Sequence, residues 1–202
     1  MLTFDHIAIS ARTLEEGVEW VESALGVKLA GGGQHPLMAT HNRLLSLGDI
    51  YLEVIAIAPS GTPPGRPRWF DLDRFEGAPR LTNWIARSDD LEADLALCPP
   101  GTGTPIALAR GDYRWKMAVP DDGILPFDSA FPALIQWLNA LHPTQALPES
   151  GVRLKRLTIA HPQAQALRAA LPLTDPRISI VEGPAKRLSA TFQTPHGERS
   201  LT

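Results

Sequence analysis

Thr3-Phe4-Asp5-His6-Ile7-Ala8-Ile9, followed by Thr13-Leu14-Glu15-Glu16-Gly17-Val18-Glu19-Trp20, decides how this 202-residue chain reads. The first stretch alternates like a half-buried strand. The second opens a helix, with Thr13 and Glu16 at capping-box spacing. That helix is expected over 14–25, with Val18, Val21 and Leu25 on one stripe and Gly26 as its stop. Val27-Lys28-Leu29 reads as a short strand and Gly31-Gly32-Gly33 as a flexible loop. Arg43-Leu44-Leu45-Ser46-Leu47 and Ile50-Tyr51-Leu52-Glu53-Val54-Ile55 then read as strands joined at a Gly48-Asp49 turn. The result is a βαβββ unit with a histidine on its first strand and a glutamate on its last.

The same order recurs. Residues 1–59 form the first unit, 60–79 a proline-rich connector, 80–138 a second unit and 139–153 a second connector. A third, partial unit covers 154–202, and together they make one domain. Trp69-Phe70-Asp71-Leu72-Asp73-Arg74-Phe75, in the first connector, fits a helical turn lying over an opening. Each helix is followed by several short strands with hairpin-type turns. That favours an α+β fold, with repeated βαβββ units curling a mixed sheet around a cavity.

Composition excludes several classes. With 44% hydrophobic and 20% charged residues the chain can bury a real core. A formal charge of -3 and a pI near 6.1 give no basic face, so nucleic acid is not an expected partner. No apolar run approaches the ~20 residues of a membrane span, and the N-terminus lacks a signal-peptide pattern. The single cysteine, Cys98, rules out an intrachain disulfide and fits a reducing cytoplasm.

Alternation puts His6 on a strand face with Phe4, Ala8 and Ser10. It puts Glu53 with Tyr51, Ile55 and Ile57, opposite Leu52, Val54 and Ala56. A glutamate inside an apolar strand is costly to bury unless it is paired, ligated or facing a cavity. The pair therefore reads as metal ligands or acid/base groups lining a cavity, or as a buried His–Glu contact. Imidazole and carboxylate together suit Zn, Fe, Mn or Ni. Arg87, Arg110 and Arg114 lie on second-unit strands; an arginine in the cavity would point to an anionic substrate. His35, His142, His161 and His196 sit beside prolines or in loops without metal-ligand spacing.

Asp5-His6-Ile7-Ala8-Ile9, Thr40-His41-Asn42-Arg43-Leu44-Leu45 and Tyr51-Leu52-Glu53-Val54-Ile55-Ala56 carry a resemblance to the glyoxalase-like branch of the vicinal oxygen chelate superfamily. Leu125-Pro126-Phe127, Ile135-Gln136-Trp137 and His142-Pro143 extend it, so that it spans about residues 2–171. The resemblance implies a site held from the first and last strands of both units. His6 and Glu53 would be metal ligands, and Glu53 the catalytic base. Trp84 and Gln136 would stand at the matching places of the second unit, lining the cavity with Asn42 as substrate-binding residues. A divalent metal, Zn, Fe, Mn or Ni, is left open, because tryptophan cannot ligate and an amide oxygen ligates weakly. The implied activity is that of a small-molecule enzyme, a lyase or dioxygenase, acting on a substrate with adjacent oxygens. A metal-free module that binds a small ligand is the alternative, favoured by Trp84. The expected partner is a small molecule, and a homodimer is compatible with this fold.

Overall fold

Thr13 Oγ accepts a hydrogen bond from the Glu16 amide at 3.2 Å and starts helix α1, Leu14–Leu25. Only half of the capping box forms, since the Glu16 carboxylate turns to Arg12 instead. Gly26, at φ 72°, closes the helix in the left-handed conformation that glycine adopts without strain. Leu14, Gly17, Val21 and Leu25 form the buried stripe. A side chain at Gly17 would meet Val54 Cγ1 at 2.5 Å, so the glycine lets α1 lie directly on the sheet.

The computed structural model describes residues 2–202. Its strands are β1 (Thr3–Ser10), β2 (Ala30–His35), β3 (Thr40–Ser46), β4 (Tyr51–Ile57), β5 (Arg80–Arg87), β6 (Thr104–Arg110), β7 (Tyr113–Val119) and β8 (Ala133–Trp137). These form one curled eight-stranded sheet in the order β2-β3-β4-β1-β5-β8-β7-β6. The two units meet where β1 runs antiparallel to β5, and each unit pairs its first strand in parallel with its last, β1 with β4 and β5 with β8. Short helices α2 (Leu91–Leu95), α3 (Pro126–Ser129) and α4 (Pro143–Ala146) occupy the connections. The α+β cup expected from the repeat is therefore present.

Two expectations are corrected. The glycine run is not a loop; it lies within β2, paired to β3 through a register shift between Ala30 and Gly33. At Gly32, φ is 112° and a Cβ would fall 2.2 Å from the Asn42 carbonyl oxygen. Glycine is what allows this strand to crowd Asn42 so closely. The second correction concerns the C-terminal segment. Strands β9 (Arg153–His161), β10 (Ile178–Glu182), β11 (Arg187–Thr194) and β12 (Gly197–Leu201), with helix α5 (Ala164–Ala170), build a separate sheet in the order β10-β9-β11-β12. Here the first strand pairs in parallel with the strand directly after the helix, and antiparallel with the next. The segment has the elements of a third unit but not its connectivity.

The core divides by face. Ile7, Ile9, Leu52, Val54 and Trp84 face α1 and the small sheet, where they meet Leu157, Ile159 and Phe192. Ala8, Ile55, Ile85, Met117 and Ile135 face the inside of the cup with Trp69 and Phe70. Burying aliphatic or aromatic side chains on each face contributes about 1.5–3 kcal/mol apiece before entropy is counted.

Candidate active site

Period-two alternation on β4 turns Tyr51 and Glu53 into the cup while Leu52 and Val54 turn to α1. On β1 the pattern is broken by a bulge. Phe4 pairs with Ala86 and His6 with Ile85, so Asp5 has no cross-strand partner. Phe4 consequently packs edge-on against Trp84 in the helix-side core, at 5.9 Å. It does not share the face of His6 that simple alternation assigns it.

The bulge creates a buried charge relay. His6 Nδ1 donates to Asp5 Oδ1 at 2.6 Å, and His6 Nε2 lies 3.6 Å from Glu53 Oε2. Tyr51 stacks on the His6 ring at 4.3 Å. The other Asp5 oxygen accepts from His142 Nε2 at 3.0 Å and from the Trp137 indole at 3.1 Å. The Thr144 amide donates to His142 Nδ1, which places the ring proton on Nε2, facing Asp5. Arg87 stands 3.9 Å away.

Glu53 Oε1 accepts from the Asn42 amide nitrogen at 2.5 Å. The Gly33 amide and Arg110 both donate to Asn42 Oδ1, at 2.9 and 3.0 Å, which fixes the orientation of that side-chain amide. Arg110 also reaches His35 Nε2 at 3.3 Å. It comes from β6, at the far edge of the sheet from β2, and so ties the two edges across the mouth of the cup.

The protonation states follow from these contacts. Burial would raise the Asp5 pKa, but hydrogen bonds from His142 and His6 outweigh it and hold the carboxyl well below its ordinary range. Burial pulls His6 down, yet Asp5 and Glu53 on either side raise it above its usual value. Glu53 is likewise pushed up by burial and brought below its usual value by His6 and Asn42. His35 is different: burial lowers it to about 4, so it is neutral at pH 7. The contacts thus favour the charged form of His6 between the Asp5 and Glu53 carboxylates, with the Arg110 guanidinium nearby.

His6, His35, Asn42, Tyr51, Glu53 and Arg110 line one face of a cavity of about 40 Å³, whose other walls include Trp69, Phe70, Trp115, Met117, Ile135 and Trp137. One water needs roughly 10–15 Å³ by the same measure, so the space admits only a few heavy atoms. Trp69 and Phe70 come from the 3₁₀ stretch Trp69–Arg74, which lies over the opening as the sequence suggests. Phe70 and Asp71 sit there at φ 59° and 55°.

Of the sequence-predicted residues, His6, Glu53 and Asn42 are brought together. Trp84 and Gln136 are not. Trp84 is fully buried on the helix side, its indole donating to the Ala130 carbonyl at 2.9 Å. Gln136 turns to the outer face, accepting from the Leu91 amide and donating to the Asp89 carbonyl. The cross-strand neighbour of His6 is Ile85, and the residues that reach the cavity from β8 are Ile135 and Trp137. A one-residue offset between the two units accounts for both misplacements. Trp84 therefore no longer argues for a binding module. Sequence reasoning misses Asp5, His35 and His142 as partners and does not single out Arg110 from Arg87 and Arg114. Only the Asp5-His6 adjacency was a local signal.

A resident metal would need a third donor. His6 Nε2 and Glu53 Oε2 are suitably aimed, and Asp5 behind His6 is the usual orienting carboxylate. His35 Nε2, however, faces the Arg110 guanidinium, a fixed cation. Among the described residues no group of three or more His, Cys, Asp or Glu side chains could hold a metal ion. The donor set does not fit a resident catalytic zinc, which takes three protein ligands even in an open site.

Comparison with known proteins adds the following. The family profile described as a glyoxalase-like domain matches residues 4–174. No curated protein matches the chain. Among solved structures, a hypothetical protein from Staphylococcus aureus is 15% identical, with a TM-score of 0.63, covering 93% of this chain and 88% of that one. Methylmalonyl-CoA epimerase from Mycobacterium tuberculosis is 19% identical, with a TM-score of 0.42 over 66% of this chain and 85% of its own. The Streptomyces coelicolor enzyme of that name, in complex with 2-nitronate-propionyl-CoA, is 16% identical, with a TM-score of 0.43 over 68% of this chain and 97% of its own. At 15% identity and a TM-score of 0.63, the likeness to the Staphylococcus aureus protein speaks to the fold alone. No helix among the described residues is long and apolar enough to cross a membrane.

Proposed function

The chain belongs to the glyoxalase-like domain family, and from that premise we propose that it is a small-molecule enzyme acting on a substrate with adjacent oxygens. Glu53 is the base. The observation that carries this reading is a buried glutamate, 6% exposed, that lines the cavity with its carboxylate between the His6 ring and an oriented amide.

In this reading a substrate carbon next to a carbonyl gives its proton to a Glu53 oxygen. The electron pair moves onto the carbonyl oxygen, leaving an enolate. His6 Nε2–H and the Arg110 guanidinium meet that charge, in the part a metal plays when the ligand set is complete. Asp5 keeps His6 protonated and oriented. Return of the proton from Glu53 to carbon or oxygen releases product. The apolar walls exclude water, which strengthens each of these contacts.

A binding module remains the second reading, because both Glu53 oxygens already have partners. Solvent exchange separates the two. Small α-hydroxy and α-keto carbonyl compounds are incubated with the protein in D₂O, and loss of the α-proton signal is followed by NMR. The enzyme reading expects catalysed exchange with at least one compound, reduced roughly 10²–10⁴-fold by Glu53→Gln. Binding without exchange, or exchange that survives the substitution, refutes it.

A further inference from the structure

A second, larger cavity of about 540 Å³ adjoins the first, and Phe70 lies in the wall of both. It is lined by Asn83, Lys186, Arg80, Arg74 and Ser129, among others. Asn83 lies on β5 two residues from Ile85, on the same inward face. It is 1% exposed, and neither its Oδ1 nor its Nδ2 has a hydrogen-bond partner. A buried primary amide left wholly unsatisfied costs several kcal/mol and is rare without a ligand or water to complete it.

The charges around Asn83 are unbalanced. Arg74 is paired with Asp71, and Asp128 faces His161. Lys186 Nζ donates to the Thr82 carbonyl at 2.7 Å and forms no ion pair among the described residues, which leaves two N–H donors free. Arg80 spends its contacts on the Glu76 and Ala78 carbonyls and on the Phe75 ring, again with no carboxylate partner. Arg74, Arg80, Lys186 and Arg187 therefore outnumber the carboxylates Asp71 and Asp128 in the lining of one recess, beside an amide without partners.

We propose that this recess binds an oxyanion, a carboxylate or phosphate group, through Lys186, Arg80 and the Asn83 amide. Through its shared Phe70 wall, the recess anchors the charged end of the substrate whose reactive end lies at Glu53. The second half of this statement rests on the function proposed above; the anion site does not. The first cavity alone is too small for an extended molecule, whereas the two joined would hold one. Phe70 and Asp71 at positive φ mark the stretch that would shift to join them, since non-glycine residues hold that conformation at some cost.

Isothermal titration of the intact chain with inorganic phosphate and with succinate tests the site, and the tighter anion tells phosphate from carboxylate recognition. Lys186→Met and Arg80→Gln are each expected to weaken binding about tenfold, the weight of a charge-assisted contact. Arg80 is exposed, so its replacement leaves folding intact. Asn83→Leu should weaken binding while raising the melting temperature, because it removes two unsatisfied polar atoms. Glu53→Gln should leave anion affinity unchanged, so failure of the proton-transfer reading and failure of this one appear in different measurements. Absence of heat with either anion at tens of millimolar, or equal affinity in the Lys186 and Arg80 variants, overturns the proposal.

Discussion

Asp5→Asn is the substitution that tests the site most directly. The two side chains are isosteric, so packing is preserved and only charge and donor pattern change. Asp5 accepts from His6, His142 and Trp137 while fully buried. An asparagine keeps one oxygen for one histidine and turns an NH₂ toward the other. Hydrogen bonds to a charged group contribute about 1.5–3 kcal/mol each, and removing one partner of a buried ion pair costs about 3–5 kcal/mol. For a domain of this size, 1 kcal/mol moves the melting temperature by about 2–4 °C. A drop of roughly 6–20 °C is expected by circular dichroism. The pH dependence has two windows. The stability Asp5 contributes, its pKa being lowered, is present above the unfolded value of ~3.9 and is lost as pH falls. The stability His6 contributes, its pKa being raised, is full below ~6.5 and is lost as pH rises through the folded value. In the variant the upper window should shift down, since burial then meets less opposition. NMR titration of His6 reads this directly. A melting temperature within about 2 °C of wild type, or a His6 pKa that stays raised, would refute the reasoning.

Three further outcomes follow from the geometry. Gly32→Ala should destabilise the protein by about 1–3 kcal/mol in denaturant titrations, because its Cβ would strike the Asn42 carbonyl from a strained φ. Its exchange activity should fall as well, since Asn42 then loses its hold on Glu53. Trp84→Phe should cost roughly 1–3 kcal/mol by stranding the Ala130 carbonyl, yet leave exchange per folded molecule unchanged. A large change in exchange there would show that Trp84 reaches the cavity. Elemental analysis after dialysis should find well under one zinc, iron, manganese or nickel per chain; stoichiometric metal would mean that a third donor exists.

The part of the site legible in the sequence is the part set by local periodicity. On β4, alternation alone places Glu53 and Tyr51 inward. On β1 the same count succeeds for His6 but fails at Phe4, because the bulge at Asp5 exists only in the pairing with β5. Trp84 and Gln136 fail for a related reason. The second unit is offset by one residue from the pattern of the first, and with a period of two an offset of one reverses the face. Arg110 and His35 meet through curvature of the whole sheet, which no local pattern records. The glycine run at 31–33 read as a loop because its role is to receive the neighbouring strand, not to follow a propensity.

The seam between β1 and β5 divides the cup into halves with unequal duties. Asp5, His6, His35, Asn42 and Glu53 all come from the first half, whereas Trp115, Met117, Ile135 and Trp137 come from the second. Most of the titratable groups and most of the apolar wall thus come from separate stretches of chain, with Arg110 reaching across from the second half. Exchanging Ile135 or Met117 for smaller or larger apolar residues would retune selectivity without touching a titratable group. On the proposed function, a change at His6 or Glu53 would instead abolish proton exchange. Within a fold built by repetition, one copy carries most of the polar groups of the cavity and the other most of its apolar wall.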